Sequence, residues 1–313
     1  MDKTQREDSV RIGLYIRLLG RPGMHPPAPT WQSVREQALA AEAAGFDIVV
    51  LEDALLYSDE AGNLGVWESV SMAAAIAAST SRIGIGHAVI NSPYRHPALV
   101  ARIAATLDEI SGARYTLGIG MGNTPDDYPL FGIDADRRYS RFAEAILIIH
   151  ELLRTGRASF EGEFYRARGA ELVLRGPRPE GPPIVIAGGR PKMLRLVTRF
   201  ADEWNWWVAE SKNTDGLRRL TEELALACEE TGRDPATLRR SVDVFSVAVP
   251  GTPEASPEVL RIGGSPDEVA DNLLGYGALG FDEVRCSLLA RADAPRTEAI
   301  AWMGEVVALV HAA

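Results

Sequence analysis

Short apolar runs alternate with amphipathic segments along most of the chain. Eight of these runs are typical of strands buried on both faces, and they cover residues 11–16, 46–53, 82–89, 115–122, 183–189, 203–208, 242–249 and 282–289. Segments with helical spacing separate most of them, at residues 33–45, 98–111, 138–153, 193–201, 214–231 and 266–277. Because strands and helices alternate in this way, the sequence predicts an α/β fold, a (β/α)₈ TIM barrel.

The spacing is uneven after the fourth predicted strand. Residues 124–182 contain one long helical segment and then a stretch whose pattern indicates a hairpin followed by a proline-rich lead-in. We expect this to be an insertion in a single barrel domain at residues 1–313. The loop at residues 17–29 is the other irregular stretch. Long loops after barrel strands often carry lids and substrate contacts, although an ordered surface loop fits this sequence equally well.

Charge and composition narrow the classes of function. Lys and Arg number 33 against 43 Asp and Glu, and the net charge of −10 argues against a nucleic-acid partner, because phosphate backbones require basic surfaces. The N-terminus is polar, and the alanine-rich run at residues 72–79 is too short to cross a bilayer. Cys228 and Cys286 lie far apart without metal-type spacing. We therefore expect a cytoplasmic protein without a metal site, a nucleic-acid partner or a membrane partner.

A glycine-rich sequence, GIGMGN at residues 118–123, follows the fourth strand. Gly118 and Gly120 fit the dinucleotide pattern G-x-G-x-x-G, but the third glycine would fall on Asn123, and no helix start follows. The pattern therefore fails. These glycines either let the backbone approach a flat ligand or let the strand end pack tightly, and we favour the ligand because it agrees with the next motif.

The next motif, AGGRPKM at residues 187–193, joins the fifth strand to a helix. Pro191 is typical of the first helical position, where exposed N–H groups bind anions. Arg190 and Lys192 add positive charge. The motif predicts a clamp for the phosphate of a cofactor tail, with a plain strand–helix turn as the alternative.

Polar residues near other strand ends are further candidates. Asp53 could bind a polar ring or cap the following turn, and Arg95 could pair with a phosphate or carboxylate. His87 is either a site residue or a satisfied core histidine. The tryptophans at 203–207 line a pocket or pack in the core. The sequence has no P-loop, no catalytic-serine elbow and no cysteine–histidine metal motif, which favours an organic cofactor that carries the chemistry.

Five blocks of the sequence resemble the luciferase-like flavin and deazaflavin oxidoreductases. They are residues 40–53, 67–86, 95–123, 177–205 and 263–284. The resemblance implies a homodimer with a flavin-like ring in the barrel mouth, from either coenzyme F420 or FMN. The sequence RPKM at residues 190–193 is similar to the GPKM of deazaflavin relatives and favours F420.

The resemblance also implies a local structure and a set of site residues. In the deazaflavin branch the third strand bulges at a cis peptide behind the ring, and matching backwards from residues 95–97 puts this bond at Ala88–Val89. With the motifs above, the expected cofactor-binding residues are Asp53, Ala88, Val89, Asn91, Met121, Gly122, Asn123, Ala187, Gly188, Gly189, Arg190 and Lys192. The expected catalytic residues are Asp53, His87 and Asn91, with Glu52 and Tyr94 as further acids. Many relatives have Asp-His where this chain has Asp53-Ala54, so another acid acts here or the substrate needs none.

The leading hypothesis is hydride transfer between F420 and a small-molecule or peptide-derived organic substrate, with reduction of an activated C=C, C=N or C=O bond. The alternative is a monooxygenase in which reduced FMN activates oxygen. A homologue that binds the cofactor without turnover is a third hypothesis. The substrate is not readable from the sequence, and we expect residues 17–29 and the insertion to determine it.

Overall fold

The computed structural model describes residues 9–24, 26–122, 127–134, 136–208, 214–252 and 261–313. Its strands are β1 (Arg11–Tyr15), β2 (Leu19–Gly20), β3 (Ile48–Leu51), β4 (Leu56–Asp59), β5 (Gly62–Val66), β6 (Gly84–His87), β7 (Ile90–Asn91), β8 (Tyr115–Gly120), β9 (Arg157–Glu161), β10 (Arg166–Glu171), β11 (Ile184–Ala187), β12 (Glu203–Trp207), β13 (Arg239–Ala248) and β14 (Glu283–Leu289). Strands β1, β3, β6, β8, β11, β12, β13 and β14 pair in parallel in that order, and β14 pairs with β1 to close the ring. The predicted (β/α)₈ barrel is confirmed.

Helices follow the barrel strands, and all six predicted helices are present. The helices are α1 (Trp31–Ala43), α2 (Ser69–Ser79), α3 (Pro97–Ser111), α4 (Arg138–Thr155), α5 (Pro191–Phe200), α6 (Thr214–Thr231), α7 (Pro266–Ala278) and α8 (Arg296–Ala312). Helix α1 begins earlier than predicted because Thr30 and Ser33 form a reciprocal capping box, with Ser33 N donating to Thr30 Oγ1 over 3.2 Å. Among the described helices, none is both long enough and apolar enough to cross a membrane.

The third barrel strand is interrupted by a bulge at Ala88 and Val89, between β6 and β7. The peptide bond joining these two residues is cis, as the resemblance implied. A Cβ atom at Gly118 would lie 1.8 Å from the carbonyl oxygen of His87, and one at Gly120 would lie 2.9 Å from Cγ2 of Val89. Tight packing against the bulge therefore accounts for both glycines, which was the alternative explanation, and the preference for a ligand at this point stays a prediction.

An ionic cluster fills the amino-terminal end of the barrel interior. The Arg285 side chain is 1% exposed, and its Nε and Nη2 donate to Glu283 over 2.6 Å and to Glu203 over 2.5 Å. Both glutamates are the first residues of their strands. The absence of a side chain at Gly13 leaves room for Arg285, whose Cγ would lie 3.0 Å from a Cβ at that position. Because this end is filled, an open cavity is left to the carboxyl end.

Two small sheets are built from the connections of the barrel. Within the expected insertion, β9 and β10 form the predicted antiparallel hairpin. Glu144 of α4 holds the turn of this hairpin by accepting the N–H groups of residues 163–165 over 2.9–3.0 Å. The second sheet, in the order β2, β5, β4, was not predicted. It follows the carboxyl ends of β1 and β3, so it lies on the face of the barrel where substrates bind in such folds.

We expect Gly118→Ala to lower the free energy of unfolding by about 1–3 kcal/mol or more, because the added methyl group overlaps the backbone at His87. The matched control is Gly275→Ala on α7, where a Cβ meets no atom within 4 Å, and which should raise it by roughly 0.5–1 kcal/mol. Urea unfolding followed by circular dichroism measures both. Equal stability of the wild type and Gly118→Ala would contradict the packing role of this glycine.

Candidate active site

A cavity of 640 Å³ lies at the carboxyl ends of the barrel strands. Seven of the eight barrel strands, or the residues that follow them, contribute to its wall. The lining residues include Tyr15, Glu52, Asp53, Tyr57, Ala88, Val89, Asn91, Gly120, Met121, Gly122, Arg138, Ala187, Gly188, Gly189, Arg190, Asn205, Trp206, Trp207 and Asp243. Such a position is where ligands bind in (β/α)₈ barrels.

Most of the predicted site residues meet in this cavity. Those that line it are Asp53, Ala88, Val89, Asn91, Met121, Gly122, Ala187, Gly188, Gly189 and Arg190. His87 and Lys192 are not part of the lining, and Asn123 lies outside the described residues. The Nζ atom of Lys192 lies 5.8 Å from the ring centroid of Tyr139 instead.

The carboxylate of Asp53 accepts four hydrogen bonds. Oδ2 accepts from Nη1 of Arg95 over 2.6 Å and from the backbone N–H of Asn91 over 2.9 Å. Oδ1 accepts from the hydroxyl of Ser69 over 2.8 Å and from Nη2 of Arg95 over 3.1 Å. Arg95 also pairs with Glu68 over 2.7 Å. A carboxylate held in this way fixes its neighbours in place, and the carboxylate that pairs with Arg95 is this one.

Asn91 is 2% exposed and follows the bulge after one intervening residue, Ile90. Its Oδ1 accepts a hydrogen bond from the hydroxyl of Tyr128 over 2.8 Å. Its Nδ2 is buried and has no hydrogen-bond partner among the residues that the structure describes. A buried donor of this kind costs free energy unless an acceptor reaches it. Asn91 therefore offers a donor to a ligand in the cavity.

His87 has the properties of a core histidine. Its Nδ1 lies 2.8 Å from the hydroxyl of Tyr115, and the two rings meet edge to face. Burial lowers the pKa of His87 to about 4, so the ring is neutral at neutral pH. Tyr94 also lies outside the cavity wall, where its hydroxyl donates to Asp127 over 3.0 Å. The catalytic role predicted for His87 remains a prediction without support from its position.

A buried acid in the cavity wall was missed by the sequence analysis. Oδ2 of Asp243 accepts from the hydroxyl of Tyr15 over 2.8 Å, and Oδ1 accepts from Nδ2 of Asn205 over 3.0 Å. Burial raises the pKa of Asp243 to about 6, against the opposing effect of the Arg285 charge. Burial also raises the pKa of Glu52, a second acid in the wall. The sequence did contain a signal for Asp243, since it is the single carboxylate in the otherwise apolar strand segment VDVFSV.

Positive charge in the cavity comes from two arginines. Arg190 precedes α5, and no side chain caps the start of this helix. Arg138, at the start of α4, donates from Nη1 to the carbonyl oxygen of Gly122 over 2.8 Å. Its position on the insertion helix gave no sequence signal. An uncapped helix start with nearby guanidinium groups can bind a phosphate or carboxylate.

The wall thus combines a backbone bulge, a buried amide donor, an anion-binding end and a buried acid. These features fit a planar ring with an anionic tail, and the acid could exchange a proton beside the ring. Among the described residues, no group of three or more His, Cys, Asp or Glu side chains could hold a metal ion.

Comparisons with known proteins find sequence relatives that include two F420-dependent dehydrogenases. The F420-dependent hydroxymycolic acid dehydrogenase of Mycobacterium tuberculosis is 32% identical over 216 residues, covering 67% of this chain and 57% of that protein. The F420-dependent glucose-6-phosphate dehydrogenase of Nakamurella multipartita is 35% identical over 171 residues, covering 53% of this chain and 49% of that protein. The chain therefore spans about half the length of these curated relatives.

A structural comparison and a family profile lead to the same group of proteins as these sequence relatives. An F420-dependent secondary alcohol dehydrogenase, solved with an F420–acetone adduct, superposes with a TM-score of 0.81 and 16% identity over 96% of this chain and 99% of that chain. This likeness concerns the fold. The sequence profile of the family described as luciferase-like monooxygenase matches residues 10–262. Because that match includes every barrel strand except β14, the chain belongs to the luciferase-like monooxygenase family.

Proposed function

We propose that the chain is an F420-dependent oxidoreductase that reduces an activated C=C, C=N or C=O bond of an organic substrate. The observation that carries this proposal is the buried Nδ2 donor of Asn91, which has no partner among the described residues and lies beside the bulge in the cavity wall. A carbonyl oxygen at the edge of a deazaflavin ring would provide its acceptor. The similarity to two F420-dependent dehydrogenases supports F420 as the coenzyme.

The residues proposed to hold the coenzyme belong to different barrel strands. Ala88 and Val89 would support the ring, while Arg138, Arg190 and the uncapped start of α5 would bind the phosphate of the tail. F420 bound in this way supplies the hydride. The protein contributes a fixed orientation and a cavity from which water is displaced. Asp53 is a positioning residue in this proposal, since its oxygens are already occupied.

Asp243 is the residue proposed to hold the proton that accompanies the hydride. Its pKa of about 6 lies close to neutral pH, which suits a group that gives or takes a proton. Tyr15 and Asn205 orient its carboxyl group. Many relatives have a histidine directly after the aspartate that matches Asp53, and this chain has Ala54 there. In this proposal Asp243 of β13 supplies the acid instead.

The alternative function is an FMN-dependent monooxygenase, which the description of the family favours. FMN also consists of a planar ring with a phosphate, so the same arginines would bind it. Oxygen consumption with supplied reduced FMN, together with no binding of F420, would establish this alternative.

We expect the protein to quench the fluorescence of F420 on binding. Asn91→Asp should weaken binding about tenfold or more, because an acceptor replaces the buried donor. Arg190→Met should weaken binding by a similar factor through the lost phosphate contact. The control is Arg195→Met, which removes an exposed guanidinium of the same helix that pairs with Glu230, and it should leave the affinity unchanged. If the protein does not quench the fluorescence of F420 at protein concentrations on the order of tens of micromolar, the proposed coenzyme is wrong.

A second prediction concerns the pKa of Asp243. Because its pKa rises from 3.8 to about 6 on folding, the wild type should lose stability relative to Asp243→Asn as the pH rises from about 4 to about 6. The relative loss should be roughly 3 kcal/mol, with no further change above that range. Urea unfolding of both proteins at several pH values measures it. A difference that does not depend on pH would show that Asp243 has an ordinary pKa.

A further inference from the structure

A second cavity of 510 Å³ lies between the start of α1, the loop after β1 and the connection from β14 to α8. Its walls are largely apolar, with Leu14, Pro26, Pro29, Leu288 and Ile300 among them. This cavity includes much of the loop at residues 17–29, which the sequence analysis singled out as irregular. An apolar cavity of this size can take the body of a small organic ligand.

Two guanidinium groups interrupt these apolar walls. Arg296 is half-buried, and its hydrogen bond from Nη1 to the carbonyl oxygen of Leu288 is long at 3.3 Å. Arg17 is exposed at the other side of the cavity lining. Burial lowers the pKa of Arg296, and the nearby charge of Arg17 lowers it further. Two positive groups that repel each other in a partly dry cavity are stabilised by an anion between them.

One carboxylate outside this cavity, that of Glu52 in the wall of the first cavity, interacts electrostatically with Arg17. Among the described residues, neither Arg17 nor Arg296 makes an ion pair, whereas the buried Arg285 and Arg95 each pair with two carboxylates. Glu36 also lines the cavity, but it is exposed and accepts a hydrogen bond from Gln32 over 3.0 Å. The field in the cavity therefore favours an anion.

Tyr15 connects this cavity with the first. It lines both cavities, and its hydroxyl donates to Asp243. Both cavities therefore meet at the residue whose hydroxyl orients the proposed proton donor. The bulge at Ala88 and Val89 belongs to the third barrel strand, while the second cavity borders the first and the eighth, β1 and β14. A ligand in the second cavity would reach the first from the side away from the bulge.

We infer that the second cavity is a substrate subsite for an apolar molecule with an anionic head group, either a carboxylate or a phosphate ester, held between Arg17 and Arg296. The inference rests on the proposed function, since the ligand is taken to be the molecule that is reduced beside Tyr15. It narrows the substrate from any activated double bond to one carried by an amphiphilic anion.

Calorimetric titration of the full chain with octanoate, octyl phosphate and octanol tests this inference. We expect both anions to bind more tightly than octanol, and the tighter of the two identifies the head group. Arg296→Met and Arg17→Met should each weaken the binding of that anion about tenfold or more, with octanol unaffected. Arg17 is exposed, so its replacement keeps the test valid even if Arg296→Met fails to fold.

The matched control is Arg291→Met, on the same connection after β14. Arg291 is exposed, pairs with Asp293 over 2.6 Å and does not line the cavity. It should leave anion binding unchanged. Anion binding no tighter than that of octanol, or equally weakened by the three replacements, would overturn the inference. F420 binding, measured on the same samples, separates the two proposals: binding of F420 without the anions refutes only the subsite, and binding of the anions without F420 refutes only the coenzyme.

Discussion

The carboxylate of Asp53 joins three parts of the cavity wall. Asp53 follows the second barrel strand, and its carboxylate binds Ser69 at the start of α2, the guanidinium of Arg95 and the backbone N–H of Asn91. A bidentate ion pair between half-buried and buried groups is rigid as well as favourable. Because Asn91 lies only two residues after Val89, this carboxylate helps to fix both the end of the bulge and the position of Asn91.

The other side of the bulge is fixed by packing. Gly118 and Gly120 leave the space that the carbonyl oxygen of His87 and the side chain of Val89 occupy. The bulge is thus held between a polar contact after it and a steric contact across from it. A wall determined by two independent contacts can support a planar ligand with little rearrangement, which is the condition for fast and specific group transfer.

The alternation of apolar and amphipathic segments allowed the barrel to be predicted, and the local motif at residues 187–193 allowed the glycine-rich end of β11 to be predicted. The bulge was implied by the resemblance to deazaflavin-dependent relatives. Asp243 and Tyr15 were missed because their meeting depends on the closure of the barrel, which brings β13 and β1 to the same interior. Arg138 was missed because its side chain reaches the cavity from the insertion. The contacts of Gly118 with the bulge and of Arg95 with Asp53 also depend on the fold, because their partners lie far away along the chain.

A crystal structure of the complex with F420 tests the central claim most directly. The account predicts a deazaflavin ring against Ala88 and Val89, with a ring carbonyl within hydrogen-bond distance of Nδ2 of Asn91 and the phosphate near Arg190. It also predicts that Asp53 keeps its contacts with Asn91 and Arg95. A ring bound elsewhere in the barrel mouth, with the amide of Asn91 still unpartnered, would contradict the account.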